Sequence, residues 1–306
     1  MNKIDITDAW QYNGLKTVIM ENNLIKVIIL PELGGKVYQI IYKPKDKELL
    51  FNNKKVPFRL PNIRDDIQDW WNGGIDICFP TLFECNTNGE TYPNFGELWA
   101  LPWQYEMIRE NNSVKLHLYS HMMISTAVIE QLITITKNSS KIKFQYIIKN
   151  IDLNKNIDYI FGFHPAFNIN PFNEIELDAK EVEIDLEAST KIFTEKFFKW
   201  PFINTKDGEK INLSKTGSIN DNLLLVYKLF NFKNGKISLL DKSDDLKISL
   251  IFDKNFFKCG YFWMNYGGWR SIYAGVLEIW TSEELNLNKA LDKNMNYFIK
   301  PKTAVD

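Results

Sequence analysis

Apolar and polar residues alternate with a period of two along most of this chain, the spacing of half-buried β-strands. Residues 17–30, TVIMENNLIKVIIL, predict two strands joined at Asn22-Asn23, residues suited to a tight turn. A doubled glycine, Gly34-Gly35, precedes a further strand, KVYQIIYK. No helical pattern follows those glycines, so they predict a bend and not a phosphate-binding loop. The alternation is cleanest from residue 113 onward. SVKLHLYS, STAVIEQLITIT and KIKFQYIIKN, with a turn at Lys137-Asn138-Ser139-Ser140, predict a meander. Later segments, IELDAKEVEIDLE, NLLLVYKLF, KISLL, LKISLIF and GYFWMNYGGW, add strands.

Helical signals are few. PNIRDDIQDWW, residues 61–71, could form one helical turn, and SEELNLNKAL, residues 282–291, predicts a helix with Ser282 as N-cap. Between the first strands and the meander, residues 70–103 are dense in Gly, Pro, Asn and aromatics and lack periodicity. They predict long ordered loops, which in compact β proteins often carry function. Many short strands with few helices predict an all-β fold, a large antiparallel sandwich, and no compositional break divides residues 1–306, so a single domain is expected.

The 306 residues are 45% hydrophobic and 14% aromatic, ample for a sizeable core. A net charge of −1 gives no electrostatic reason to expect nucleic acid or an anionic membrane as partner. No apolar run approaches the roughly 20 residues that cross a bilayer, and the N-terminus MNKIDITDAW lacks the apolar stretch of a secretion signal. Cys78, Cys85 and Cys259 form no CxxC pair. Neither a disulfide frame nor a zinc site is implied, and a cytoplasmic protein with reduced thiols is expected. His117 and His121, four apart, fall on one strand face, but no third ligand accompanies them.

Two titratable residues stand out. His164, in FGFHPAFNI, precedes Pro165, which cannot donate to a sheet ladder; the strand is expected to end there, with the imidazole near a rim. Its unperturbed pKa suits proton transfer near neutrality. Glu278 lies in YAGVLEIW among Val276, Leu277, Ile279 and Trp280. A carboxylate so placed has a partner or a raised pKa, unless it faces outward. If both groups meet one cavity they supply an acid and a base on opposite sides of a bound molecule. The residues alone favour a hydrogen-bonded core histidine at 164 and equally permit an outward-facing strand glutamate at 278.

Five segments in order, LPELGGKVYQI, GGIDICFPT, GELWALPW, FGFHPAFNI and GVLEIW, together resemble the galactose mutarotase-like (aldose 1-epimerase) superfamily, specifically its bacterial aldose-epimerase-related branch. The resemblance implies a galactose mutarotase-like supersandwich and cofactor-free, metal-free interconversion of the anomers of a hexose or modified hexose. In that scheme Glu278 takes the proton of the anomeric hydroxyl, His164 protonates the ring oxygen, and the ring opens, rotates and recloses. The implied partner is a small-molecule sugar. One departure stands where relatives carry a histidine before the loop glycine: here the chain reads Asn94-Phe95-Gly96-Glu97. Phe95 can offer only a ring face to a sugar, so a non-catalytic carbohydrate-binding protein on the same scaffold is the alternative. Glu97, Trp99, Asp76 and Trp263 are further sugar-facing candidates, and Asp221 matches the family's sugar-binding aspartate in a loosely aligned stretch. A third reading, lysis of an acidic polysaccharide, would need a basic cleft; Arg59, Arg64 and Arg270 are present, but nothing in the sequence gathers them.

Overall fold

A computed structural model describes residues 4–87, 89–190 and 193–306. The fold is an all-β sandwich type, with large antiparallel sheets and, among the described residues, two short α-helices, Ile67–Trp70 and Leu287–Asp292. The chain forms two compact units: Met1–Phe163 with Glu284–Asp306, and His164–Glu283.

In the first unit the strands Asp5–Tyr12, Leu15–Glu21, Ile25–Leu30, Lys36–Tyr42 and Ile75–Cys78 follow one another in antiparallel order. Asn22 makes the tight turn as expected, but through its side chain: Oδ1 accepts from the amides of Leu24 and Ile25. This short polar side chain mimics a backbone turn. The doubled glycine is a bend. Both residues have positive φ (66° and 62°), and a Cβ on Gly34 would sit 2.6 Å from the Trp99 carbonyl oxygen. The predicted meander is present as Ser113–His121, Ala127–Thr136 and Ile142–Asn150, and an unpredicted strand, Gln104–Arg109, pairs with its first member. Alternating burial along Ser113–His121 shows one face turned to the core.

In the second unit Tyr273–Trp280 pairs with Cys259–Tyr266, which pairs with Leu223–Phe230 and then Glu181–Ile184. A smaller sheet joins Asn173–Leu177, Lys236–Asp241 and Leu246–Ile251. The strand Tyr273–Trp280 is buried at seven consecutive positions, Ala274 to Trp280, so both its faces are covered. That explains its nearly unbroken apolar sequence, since covering removes the need for a polar alternate position.

Two predicted boundaries move. The strand carrying His164 does not stop at the His-Pro step but runs Gly162–Phe167, buried throughout. The fixed φ of Pro165 is compatible with extended backbone, and what the ring removes is one ladder donor. His164 is therefore an interior residue and not a rim residue. The second helix begins later than expected. Asn286 caps it, its Oδ1 accepting from the Lys289 amide, while Ser282 lies buried before it. Asx and hydroxyl side chains cap comparably well, so a later asparagine can take the role expected of Ser282.

Candidate functional site

The site is built on the Glu278 strand. Register places Tyr261 of the neighbouring strand directly opposite Glu278, with Trp263 opposite Val276 and Cys259 opposite Trp280. Residues two apart share a face, so Glu278, Trp280, Tyr261 and Trp263 project to one side. The strand Gly162–Phe167 neighbours Tyr273–Trp280 on its other edge. It delivers His164 to that carboxylate: Nε2 of His164 stands 3.4 Å from Oε1 of Glu278. His164 is 5% exposed and Glu278 2%. Neither turns outward to bulk water.

The second carboxylate oxygen has its own donor. Nε1 of Trp280 lies 2.8 Å from Oε2 of Glu278. Burial drives the Glu278 pKa well above its ordinary value, with the Trp280 hydrogen bond opposing the rise. The cause is desolvation, which disfavours the charged form. Tyr261 is likewise pushed up, by burial first and by the negative charge of Glu278 second. A carboxylate with raised proton affinity beside an imidazole is a candidate pair for proton exchange. Such a pair, however, does not face itself across a sugar. At 3.4 Å no ring fits between the two groups, because they hang from adjacent strands.

The other residues singled out in the sequence have distinct situations. In the second unit, half-buried Trp263 packs edge-on to Trp269, ring centroids 5.7 Å apart, on the Glu278 side of its strand. Asp221 is exposed, and its Oδ2 accepts from the Ser218 amide in a capping box on the turn Ile219–Asp221. That oxygen closes a turn, and no described hydrogen bond or ion pair ties Asp221 to the His164–Glu278 pair.

In the first unit, Glu97 is fully buried, and its carboxylate accepts from the amides of Met123, Ile124 and Ser125 at 2.8, 2.6 and 3.0 Å. Its lone pairs hold a chain reversal at residues 123–125. Asp76 makes a buried ion pair with Lys36 at 2.5 Å, and Lys36 also donates to the Gly73 carbonyl. Trp99 is buried, with its backbone against Gly34. Phe95 is half-buried with φ of 67°, its amide donating to the Leu82 carbonyl. His117 pairs with Glu130 at 3.1 Å, and His121 is exposed. Arg59 lies over the Trp70 ring and Arg270 over that of Trp269. Among the described residues no group of three His, Cys, Asp or Glu side chains is arranged to hold a metal, and no helix is long and apolar enough to cross a membrane.

Sequence reasoning missed Trp280 and Tyr261 as members of the site. Trp280 was accessible from the sequence, since it stands two positions after Glu278 in a strand and must share its face. Tyr261 required the register of a second strand.

A family model for a domain of unknown function (DUF5107) matches residues 6–92. Among solved structures, the chain is similar to a protein from Synechocystis sp. PCC 6803, at 17% identity and a TM-score of 0.68, covering 100% of this chain and 96% of that one. It is also similar to a galactose mutarotase-like protein from Clostridium acetobutylicum, at 12% identity and a TM-score of 0.65, covering 99% and 96%. A galactose mutarotase related enzyme from Lactobacillus acidophilus matches at 14% identity and a TM-score of 0.62, covering 94% of each chain. At these identities the shared property is the fold alone.

Proposed function

We propose that this protein binds a small sugar against the His164–Glu278 pair and interconverts its anomers by acid–base ring opening and closure. The observation that carries this reading is the contact itself: a buried imidazole nitrogen 3.4 Å from a buried carboxylate oxygen. The chemistry fits that separation. In a hemiacetal the anomeric hydroxyl and the ring oxygen are both bonded to C1, so a neighbouring base and acid can reach them together. Glu278 removes the hydroxyl proton through Oε1 as the C1–ring-oxygen bond breaks. His164 delivers a proton to the departing ring oxygen, giving the open aldehyde. Rotation about C1–C2 and reversal of the two transfers return the ring with C1 inverted. Heavy-atom reach of about 2.6–3.2 Å for each transfer is the requirement. The half-buried ring of Trp263, on the Glu278 side of its strand, supplies an apolar surface for sugar C–H groups.

The test is anomer-resolved NMR exchange over a panel of aldoses. Glu278→Gln is expected to lower any catalysed interconversion by about 10²- to 10⁴-fold without lowering thermal stability. Equal rates in variant and wild type would remove Glu278 from the chemistry.

Phe95 supports a second reading, a sugar-binding protein without catalysis, because it stands where the family resemblance implies a histidine and its side chain has no hydrogen-bonding group. Under it, calorimetry gives sugar binding while anomer exchange stays at the buffer rate.

A further inference from the structure

We propose that Trp280 is a positioning residue of this site: its indole N–H occupies Oε2 of Glu278 and thereby confines proton exchange to Oε1, the oxygen that faces His164. This deepens the proposed acid–base reading and rests on it for its catalytic meaning, though the hydrogen-bond role itself does not.

The argument begins with the inventory of groups. An indole N–H donates and cannot accept, so whatever the charge of Glu278, Oε2 must present a lone pair to it at 2.8 Å. When the carboxyl is protonated, the carbonyl oxygen is the better acceptor, so the indole bond to Oε2 favours the proton on Oε1. When it is ionised, Oε2 is already satisfied and Oε1 is the available base. Trp280 is itself fully buried, so packing on all sides fixes the direction of its N–H. Its position two residues beyond Glu278 in one extended strand sets the two side chains on the same face.

Three described residues are placed toward Glu278. His164 approaches from the strand Gly162–Phe167, Tyr261 stands opposite on Cys259–Tyr266, and Trp280 comes from its own strand. Lys228, opposite Tyr261 one strand further on, sends its ammonium to the Glu283 carbonyl at 3.0 Å. Of these, Trp280 is the donor whose hydrogen bond opposes the burial penalty on the carboxylate. Removing it is expected to raise the proton affinity of Glu278 and to release the choice of oxygen.

The experiment follows the glutamate side-chain ¹³C resonances of sugar-free protein through a pH titration, with Glu278→Gln identifying the Glu278 signal. In Trp280→Phe, which keeps a large ring and deletes the N–H, the Glu278 midpoint is expected to rise by about one to two pH units. The same variant should lower kcat for anomer exchange about tenfold or more below that midpoint, leave KM in place and recover rate as pH rises. A purely structural role would lower the folded fraction without moving the midpoint. An unmoved or lowered midpoint in folded Trp280→Phe overturns the proposal.

Should Trp280→Phe fail to fold, the nine tryptophans still supply a readout through their indole ¹H–¹⁵N signals. One should titrate with Glu278 in the wild type and lose that dependence in Glu278→Gln; the absence of such a signal overturns the proposal equally. Because both titrations need no sugar, a protein inactive on every aldose would end the epimerase reading while leaving this hydrogen bond to be judged by itself.

Discussion

Glu97 was a sugar-binding candidate in the sequence, and its surroundings in the structure turn it into a test of the reasoning. Its two oxygens accept from three successive backbone amides, Met123, Ile124 and Ser125. Alanine at this position orphans all three. The Ser125 amide is buried, so it bears the cost of an unsatisfied donor, about 1–3 kcal/mol. The Met123 and Ile124 amides are part-buried and can recover water, which leaves each a net loss nearer 0.5–1.5 kcal/mol. Relief works in the opposite direction, because burial holds the Glu97 pKa above its ordinary value despite the three amides, so the ionised side chain carries a desolvation cost that alanine does not. A net destabilisation of about 2–4 kcal/mol is expected on this balance. Since the chain forms two compact units, a single unfolding midpoint need not report one transition. Amide exchange is the better assay. In Glu97→Ala the amides of residues 123–125 should lose protection sharply, the strand amides of 259–266 should keep theirs, and sugar affinity should be unchanged. Unaltered exchange at 123–125 combined with a tenfold loss of sugar affinity would refute the anchoring role and return Glu97 to the ligand.

Further outcomes follow from other buried groups. Lys36→Met strands the Asp76 carboxylate, 3% exposed, and should cost about 3–5 kcal/mol in chemical denaturation, most of it regained in Lys36→Met/Asp76→Leu; an unrescued double variant would show that the ion pair does more than satisfy itself. Gly96→Ala places a Cβ 1.8 Å from the Phe79 carbonyl oxygen at a φ of 68°, so it should unfold the first unit or cost more than about 4 kcal/mol, read by expression and circular dichroism; near-normal stability would mean the loop can shift. Glu278 has a folded pKa above its unfolded one, so the folded state binds the extra proton between the two values. Its contribution to stability is then fully present below the ordinary value of 4.5 and is lost as pH rises through the folded pKa. Urea titrations of Glu278→Gln should therefore run parallel to wild type in acid and lie above it at higher pH; curves that diverge the other way contradict a desolvated carboxylate.

Where sequence and structure agree, the reason is local. The meander of residues 113–150 keeps one face to the core and one toward solvent, and the period-two signal survives wherever that asymmetry holds. Around the site the asymmetry vanishes. Along Tyr273–Trp280 and Gly162–Phe167 both faces are covered, so alternation stops distinguishing inside from outside, and a glutamate or histidine there reads equally well as surface or core. What singled out His164 and Glu278 was chemistry set in an apolar run; what brought them within 3.4 Å was strand order, which no local window contains. The same limit explains Glu97 and Asp221. Glu97 lies in a Gly- and aromatic-rich loop and Asp221 in a short polar turn, contexts that suit a ligand and a backbone anchor alike, and the decision rests with amides 26 to 28 residues away in one case and three in the other. Trp280 is the instructive exception, because its relation to Glu278 is fixed by a two-residue step along one extended strand. A buried carboxylate needs a donor, the residue two positions on carries one, and the geometry that joins them is a property of the strand alone.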